Sequence, residues 1–336
     1  MDFLALSEPY LSIYEFILGR LKLNELLEII TEYKRSADDN LRLLYDILKN
    51  VEMYKVSTIF DKLITLLRNT SKGSISANKV VIKLFVLETL IPFLILIHRE
   101  HYTIDNDILL SMYREYGEGY DIWNKLDKRD LAEKFLKAQG FIAGIIGYKM
   151  LKDNKLDMAE KMFKKARDIH IITGENDLLL TDLFNLGITA TEKNDFKSAV
   201  TFFEEALKVN DKDKEIWRNL GVSLRALGKH NNAIKCFRKA LELDENYTDA
   251  KYNLAHTLLE GYSINKRNVK WMKEGLKITS ELLEKGWKWT LTTLLLLGAF
   301  YFSIEEYDKA AKHFNDAVDI ILLRKYKNST MFEIIE

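Results

Sequence analysis

Two prolines, Pro9 and Pro92, and one cysteine, Cys236, are all that 336 residues carry of either type. Proline breaks helices, and strand-rich folds need frequent turn residues. With only 15 glycines as well, the scarcity points to long helices joined by short turns. A single cysteine excludes an intramolecular disulfide and any multi-cysteine metal centre, and it fits a reducing interior. Neither charge sign is in excess, since 50 Lys and Arg balance 50 Asp and Glu. A nucleic-acid binder usually shows a basic stripe, and none stands out along the chain, so no nucleic-acid partner is expected. What is present is a globular composition, with 47% hydrophobic and 30% charged residues.

Long hydrophobic runs are scarce too. The most apolar stretch is Val80–Ile97, which carries Lys83, Glu88 and Pro92. Its charge-free end, Leu90–Ile97, falls well short of the ~20 apolar residues of a membrane span. It reads as a buried core helix, with a membrane-anchored assembly factor kept as an alternative. The first residues lack the basic start of a secretory signal and contain Asp2, Glu8 and Pro9. Ser7 before Glu8-Pro9 reads instead as a helix N-cap with proline in the first turn. A cytoplasmic protein is expected.

The motifs of common chemistry are missing. There is no G-x-x-x-x-G-K-[ST], H-E-x-x-H, G-x-S-x-G or G-x-G-x-x-G. His98 and His101 form the sole metal-like pair, without an identifiable third ligand. Cys236 has no assignable activating neighbour. Glu204–Glu205 and Glu305–Glu306 read as solvated helix faces. The expectation is no catalytic residue, no metal and no cofactor. An activity housed in the N-terminal part is the rival reading, since fold alone does not exclude one.

What the chain does contain is a repeat. FNLG at Phe184–Gly187, RNLG at Arg218–Gly221 and YNLA at Tyr252–Ala255 start 34 residues apart. Around RNLG, Trp217, Leu220, Gly221 and Leu224 share one helix face. Ala233, Phe237 and Ala240 share a face of a second helix after the turn Leu227-Gly228-Lys229-His230. Small residues let two backbones approach, and Phe237 fills the space between them. The unit recurs as Leu183, Leu186, Gly187, Ala190 with Ala199, Phe203 and Ala206. It recurs upstream as Ile146, Gly147 with Ala159, Phe163 and Ala166, and downstream as Leu297, Gly298, Tyr301 with Ala310, Phe314 and Ala317. The unit that Leu254 and Ala255 begin is irregular, with nine extra residues before Gly298 and a long second helix near 269–285.

This period and pattern resemble the tetratricopeptide repeat, over about residues 140–324. Only one unit has the tryptophan, and Asp211 and Glu245 replace the late proline. The resemblance implies an all-α, right-handed superhelix of about five hairpins whose concave groove is lined by the first helix of each pair. Residues 1–139 read as further helices, either degenerate repeats or an irregular cap, and 325–336 as a short tail.

The resemblance also implies a non-catalytic scaffold that holds a protein or peptide in the groove. By the same register the groove positions are Asn185, Asn219, Asn253, Phe184, Ile188, Arg218, Val222, Arg225, Tyr252 and His256, continued by Leu295, Ala299 and Phe302. An amide both donates and accepts, so the three asparagines form either a ladder for a peptide backbone or internal hydrogen bonds of the scaffold. The family's carboxylate clamp uses lysine at the positions of Phe184 and Tyr252 and asparagine at those of Ile188 and Val222. None of these is present, so an apolar or helical segment is expected rather than an acidic tail. An exposed end of the array leaves a homodimer open.

Overall fold

The computed structural model describes residues 10–17, 23–32, 38–50, 56–70, 77–99, 105–264, 268–284 and 290–332, with backbone alone for 11, 23, 24, 27, 56, 57, 60, 77, 78, 91–99 and 323–332. The described residues contain helices, turns and no strand. Helices α1 (Tyr10–Ile17), α2 (Leu23–Glu32), α3 (Asp39–Lys49), α4 (Val56–Thr70), α5 (Ala77–Arg99), α6 (Asn106–Lys125) and α7 (Arg129–Lys152) come first. Helices α8 (Leu156–Thr173), α9 (Asn176–Glu192), α10 (Phe196–Val209), α11 (Lys214–Ala226) and α12 (His230–Leu243) follow. The last are α13 (Thr248–Ile264), α14 (Val269–Glu284), α15 (Thr290–Ser303) and α16 (Tyr307–Phe332). They form two compact units: Met1–Lys152 with Lys165–Glu175, and Asp153–Lys164 with Asn176–Glu336.

In the first unit α5 packs on α1, α4, α6 and α7. Every side chain from Val80 to Leu87 is buried, as expected of a helix that is apolar all round. Two of its charges, Lys83 and Glu88, are paired across helices. Lys83 is in an ion pair with the buried Glu115 of α6 and lies 2.7 Å from Glu118. Glu88 is bridged by Lys134 of α7. The fully buried Tyr116 donates its hydroxyl to the Leu87 carbonyl at 2.6 Å. Burial pushes that phenol well above its usual range. The charges that spoke against a membrane segment thus fix where α6 and α7 sit along α5. Among the described residues no helix is long and apolar enough to cross a membrane. Leu90 is fully buried. The side chains of Leu94 and Ile97, the N-cap expected at Ser7, and the His98–His101 pair lie outside the described side chains.

The end of the expected N-terminal helical region is a hairpin of two long helices, α6 and α7. A Cβ on Gly119 would lie 2.4 Å from the Phe135 ring, so this glycine is a seat for that phenylalanine. The turn between them passes through Asp127 at φ 53°.

In the second unit, consecutive helices pack as hairpins: α9 with α10, α11 with α12, α13 with α14 and α15 with α16. The reason is the glycine–phenylalanine seat. Cβ atoms on Gly187, Gly221 and Gly298 would lie 2.4, 2.7 and 2.6 Å from the rings of Phe203, Phe237 and Phe314. No real Cβ sits that close, so only glycine admits these rings. Ala199, Ala206, Ala233 and Ala240 are fully buried beside them. Thr189, Ser223 and Thr257, one repeat apart, are also fully buried, and each donates its hydroxyl to the carbonyl four residues back. These bonds satisfy a polar group that the dry hairpin interior would otherwise penalise.

The irregular unit keeps the hairpin but changes the seats. Gly261 of α13 receives Trp271 of α14, and Gly275 of α14 receives Phe300 of α15. The long α16 runs unbroken past 324 to Phe332.

The hairpin turns need one residue with positive φ. Gly228 meets this freely at φ 71°, whereas Glu305 adopts φ 66° with a side chain. An L-residue there is strained. Glu305→Gly is expected to stabilise the last hairpin by about 1 kcal/mol, less the added unfolded-state entropy of glycine. Thermal melting followed by circular dichroism checks this, and a lowered midpoint would refute it.

Candidate functional site: the first-helix face

Helices α9, α11, α13 and α15 touch in succession, each with the next first helix. The residues singled out by the repeat register lie on these helices. Phe184, Asn185 and Ile188 of α9, Arg218, Asn219, Val222 and Arg225 of α11, and Tyr252, Asn253 and His256 of α13 are all half-buried. Leu295 and Phe302 of α15 are exposed, and Ala299 is half-buried. Half-burial is what a contact face requires: the side chains are held by the scaffold yet reachable.

The three asparagines differ in their bonding. Asn219 donates its amide to the Glu215 carbonyl at 2.9 Å, and its oxygen accepts from Arg218 Nη1 at 2.6 Å. Asn253 donates to the Asp249 carbonyl at 2.7 Å. Both bonds run to the residue's own helix, four positions back, and not to a neighbouring helix. No side-chain bond of Asn185 is seen among the described residues. An amide has two N–H groups, so Asn219 and Asn253 each keep one donor after anchoring.

Some of the face is committed inward. Phe184 stacks edge-on against Phe203, with ring centroids 6.0 Å apart. Tyr252 packs on the cluster of Ala255, Leu296 and Phe300 that joins α13 to α15. It also lies tilted against His256, at 6.2 Å.

The charged part gathers around Glu260, which the repeat pattern did not reveal. His256 Nδ1 lies 3.1 Å from Glu260 Oε1, and His230 Nδ1 lies 3.7 Å from Oε2. Burial pushes the Glu260 carboxyl up, but His256, Arg225 and His230 together hold it below its usual value. Only the four-residue step from His256 to Glu260 could have signalled the pairing. Arg225 Nη1 and Arg218 Nε are buried without a hydrogen-bond partner among the described residues. A buried guanidinium N–H left unpaired is costly.

No group of three or more His, Cys, Asp or Glu among the described residues is placed to hold a metal. Cys236 is buried, and desolvation pushes its thiol up to about 12, which leaves it unreactive.

A helical array seated on glycine and phenylalanine at fixed spacing, with a continuous first-helix face, defines a hairpin-repeat protein. Two tetratricopeptide repeat family models match, over residues 150–212 and 215–247. The chain belongs to the tetratricopeptide repeat family, whose hairpins typically mediate contact between proteins. The peroxisomal targeting signal receptor of Saccharomyces cerevisiae is 30% identical over 135 residues, which is 40% of this chain and 19% of the receptor. An uncharacterized protein of Methanocaldococcus jannaschii is 30% identical over 70 residues, 21% of this chain and 81% of that protein. The chain spans no more than about a fifth of the first curated relatives it matches, 19% and 12% of two yeast receptors. Among solved structures, YrrB, a TPR protein with an unusual peptide-binding site, aligns with a TM-score of 0.43 at 21% identity, covering 53% of this chain and 84% of YrrB.

Proposed function

We propose that this protein is a non-catalytic scaffold that holds an extended or helical segment of a partner protein on the face of α9, α11 and α13. The observation that carries the reading is the row Asn185, Asn219, Asn253 at one-repeat steps. Two of its amides are already fixed by their own helix, with a donor to spare. A pre-oriented amide loses less freedom when it grips a ligand than a swinging one does. The half-buried Ile188, Val222 and Tyr252 supply apolar contact, and Arg218 and Arg225 supply positive charge. The partner is a protein met in the cytoplasm, with no nucleic acid, membrane or cofactor involved.

The test is selection of peptides from a displayed random library, followed by affinity measurement. The wild type is compared with the triple variant Asn185→Ala/Asn219→Ala/Asn253→Ala. Each lost amide bond is worth about 1 kcal/mol, so the variant should bind at least about tenfold more weakly at an unchanged melting temperature. Equal binding by the variant would assign the asparagines to the scaffold alone.

A further inference from the structure

We propose that a recess on the second-helix side, between α12 and α14, is a second docking surface that takes an acidic segment of another protein. It is separate from the first-helix face. The recess is shallow, about 780 Å³ in volume, and lined by Arg238, Val269, Lys270, Lys273, Glu274 and Lys277. It lies in the irregular unit, where the second helix departs from the repeat.

The departure explains the surface. Trp271 and Gly275 turn inward to their seats against Gly261 and Phe300. Thr279 and Leu282 are buried on the same side. That leaves Lys270, Lys273 and Lys277 on the outer stripe, three and four residues apart and all exposed. From the first lysine to the last the stripe rises about 10 Å, a span several acidic side chains of an extended segment can cover.

The carboxylate in the middle is already used. Glu274 accepts two bonds from Arg238 Nη2, at 2.9 and 2.8 Å, so it does not neutralise the lysines. This bridge ties α12 to α14 and forms the recess floor. Lys270 and Lys273 have no ion pair among the described residues, and Lys277 reaches Glu281 only at 4.0 Å. On the α12 side, Lys235 is exposed as well. Val269, 46% exposed, adds an apolar contact at the rim.

The charge calls for an anion, and two features favour a protein over a nucleic acid. The one aromatic of this helix, Trp271, is packed against Gly261 and offers no stacking platform for bases. The chain's net charge is zero, so no long-range field draws a polyanion.

Fluorescence anisotropy with a fluorescein-labelled peptide of alternating glutamate and glycine tests this at low and physiological salt. The wild type should bind saturably. Lys270→Glu/Lys273→Glu should weaken binding roughly tenfold or more, and Lys270→Gln/Lys273→Gln by less. The exposed pair changed in Lys208→Glu/Lys212→Glu, away from the recess, should leave binding unchanged. Circular dichroism confirms that each variant folds. No saturable binding, or an equal loss with the distant pair, would overturn the assignment. So would a single-stranded RNA that binds as tightly as the peptide and is equally sensitive to the reversal.

Discussion

Phe237→Ala is expected to cost about 3–5 kcal/mol, the range for emptying a large buried aromatic site. The ring is fully buried and sits where a Gly221 side chain would be. Removing it opens a cavity that the backbones of α11 and α12 cannot close without losing their contacts on either side. A repeat array is stabilised by each unit and by its interfaces with its neighbours. The loss should therefore appear first as faster hydrogen exchange in α11 and α12, before global unfolding.

A second substitution makes the test specific. Gly221→Ala in the wild type places a methyl 2.7 Å from the Phe237 ring and should destabilise the hairpin. The same change in the Phe237→Ala background fills part of the cavity and should cost less or stabilise. A double-mutant cycle by urea denaturation measures the coupling. Simple additivity would mean that the two residues do not share the space.

Lys83→Met is expected to cost about 3–5 kcal/mol, because it leaves Glu115 buried without its cation. Burial alone would lower the Lys83 ammonium, but Glu115 and Glu118 hold it above its usual value. Its contribution is therefore fully present below the unfolded lysine range and is lost as pH rises through the folded value. The wild type should lose stability at strongly alkaline pH, and Lys83→Met should lack that component. The double variant Lys83→Met/Glu115→Leu should recover most of the loss, since two apolar side chains replace a paired charge with little penalty. Urea denaturation of the four proteins of this cycle decides it. A double variant as unstable as the single one would mean that packing, not charge, is what Lys83 supplies.

The repeat was legible in sequence because its packing is demanding. Gly187, Gly221 and Gly298 admit a phenylalanine sixteen residues later, with small residues beside it, and few other letters fit. The same physics acts at Gly119 and Phe135 in the first unit, at the same separation. It went unread there because Glu118 stands where the repeats have leucine, and Leu131 where they have alanine. In the irregular unit the seats exchange partners, Gly261 taking Trp271 and Gly275 taking Phe300, so the spacing no longer marks the pairing.

The candidate face was legible in outline and not in detail. The register named Asn219 and Asn253 as groove positions, and their anchoring bonds to Glu215 and Asp249 depend on side-chain rotamers that it does not specify. Glu260 escaped because its partners come from three helices: Arg225 from α11, His230 from α12 and His256 from α13. Thr189, Ser223 and Thr257 repeat every 34 residues, a signal present in the sequence whose meaning emerges only once their hydroxyls are seen to bond inward.

The most direct measurement is photo-crosslinking of a library-selected peptide to three versions of the protein. Each carries one benzophenone amino acid, at Ile188, at Val222 or at Lys239. The account predicts crosslinks from Ile188 and Val222 on the first-helix face and none from Lys239 on the second-helix side. Crosslinking from Lys239 alone would place the peptide on the other side of the array and contradict it.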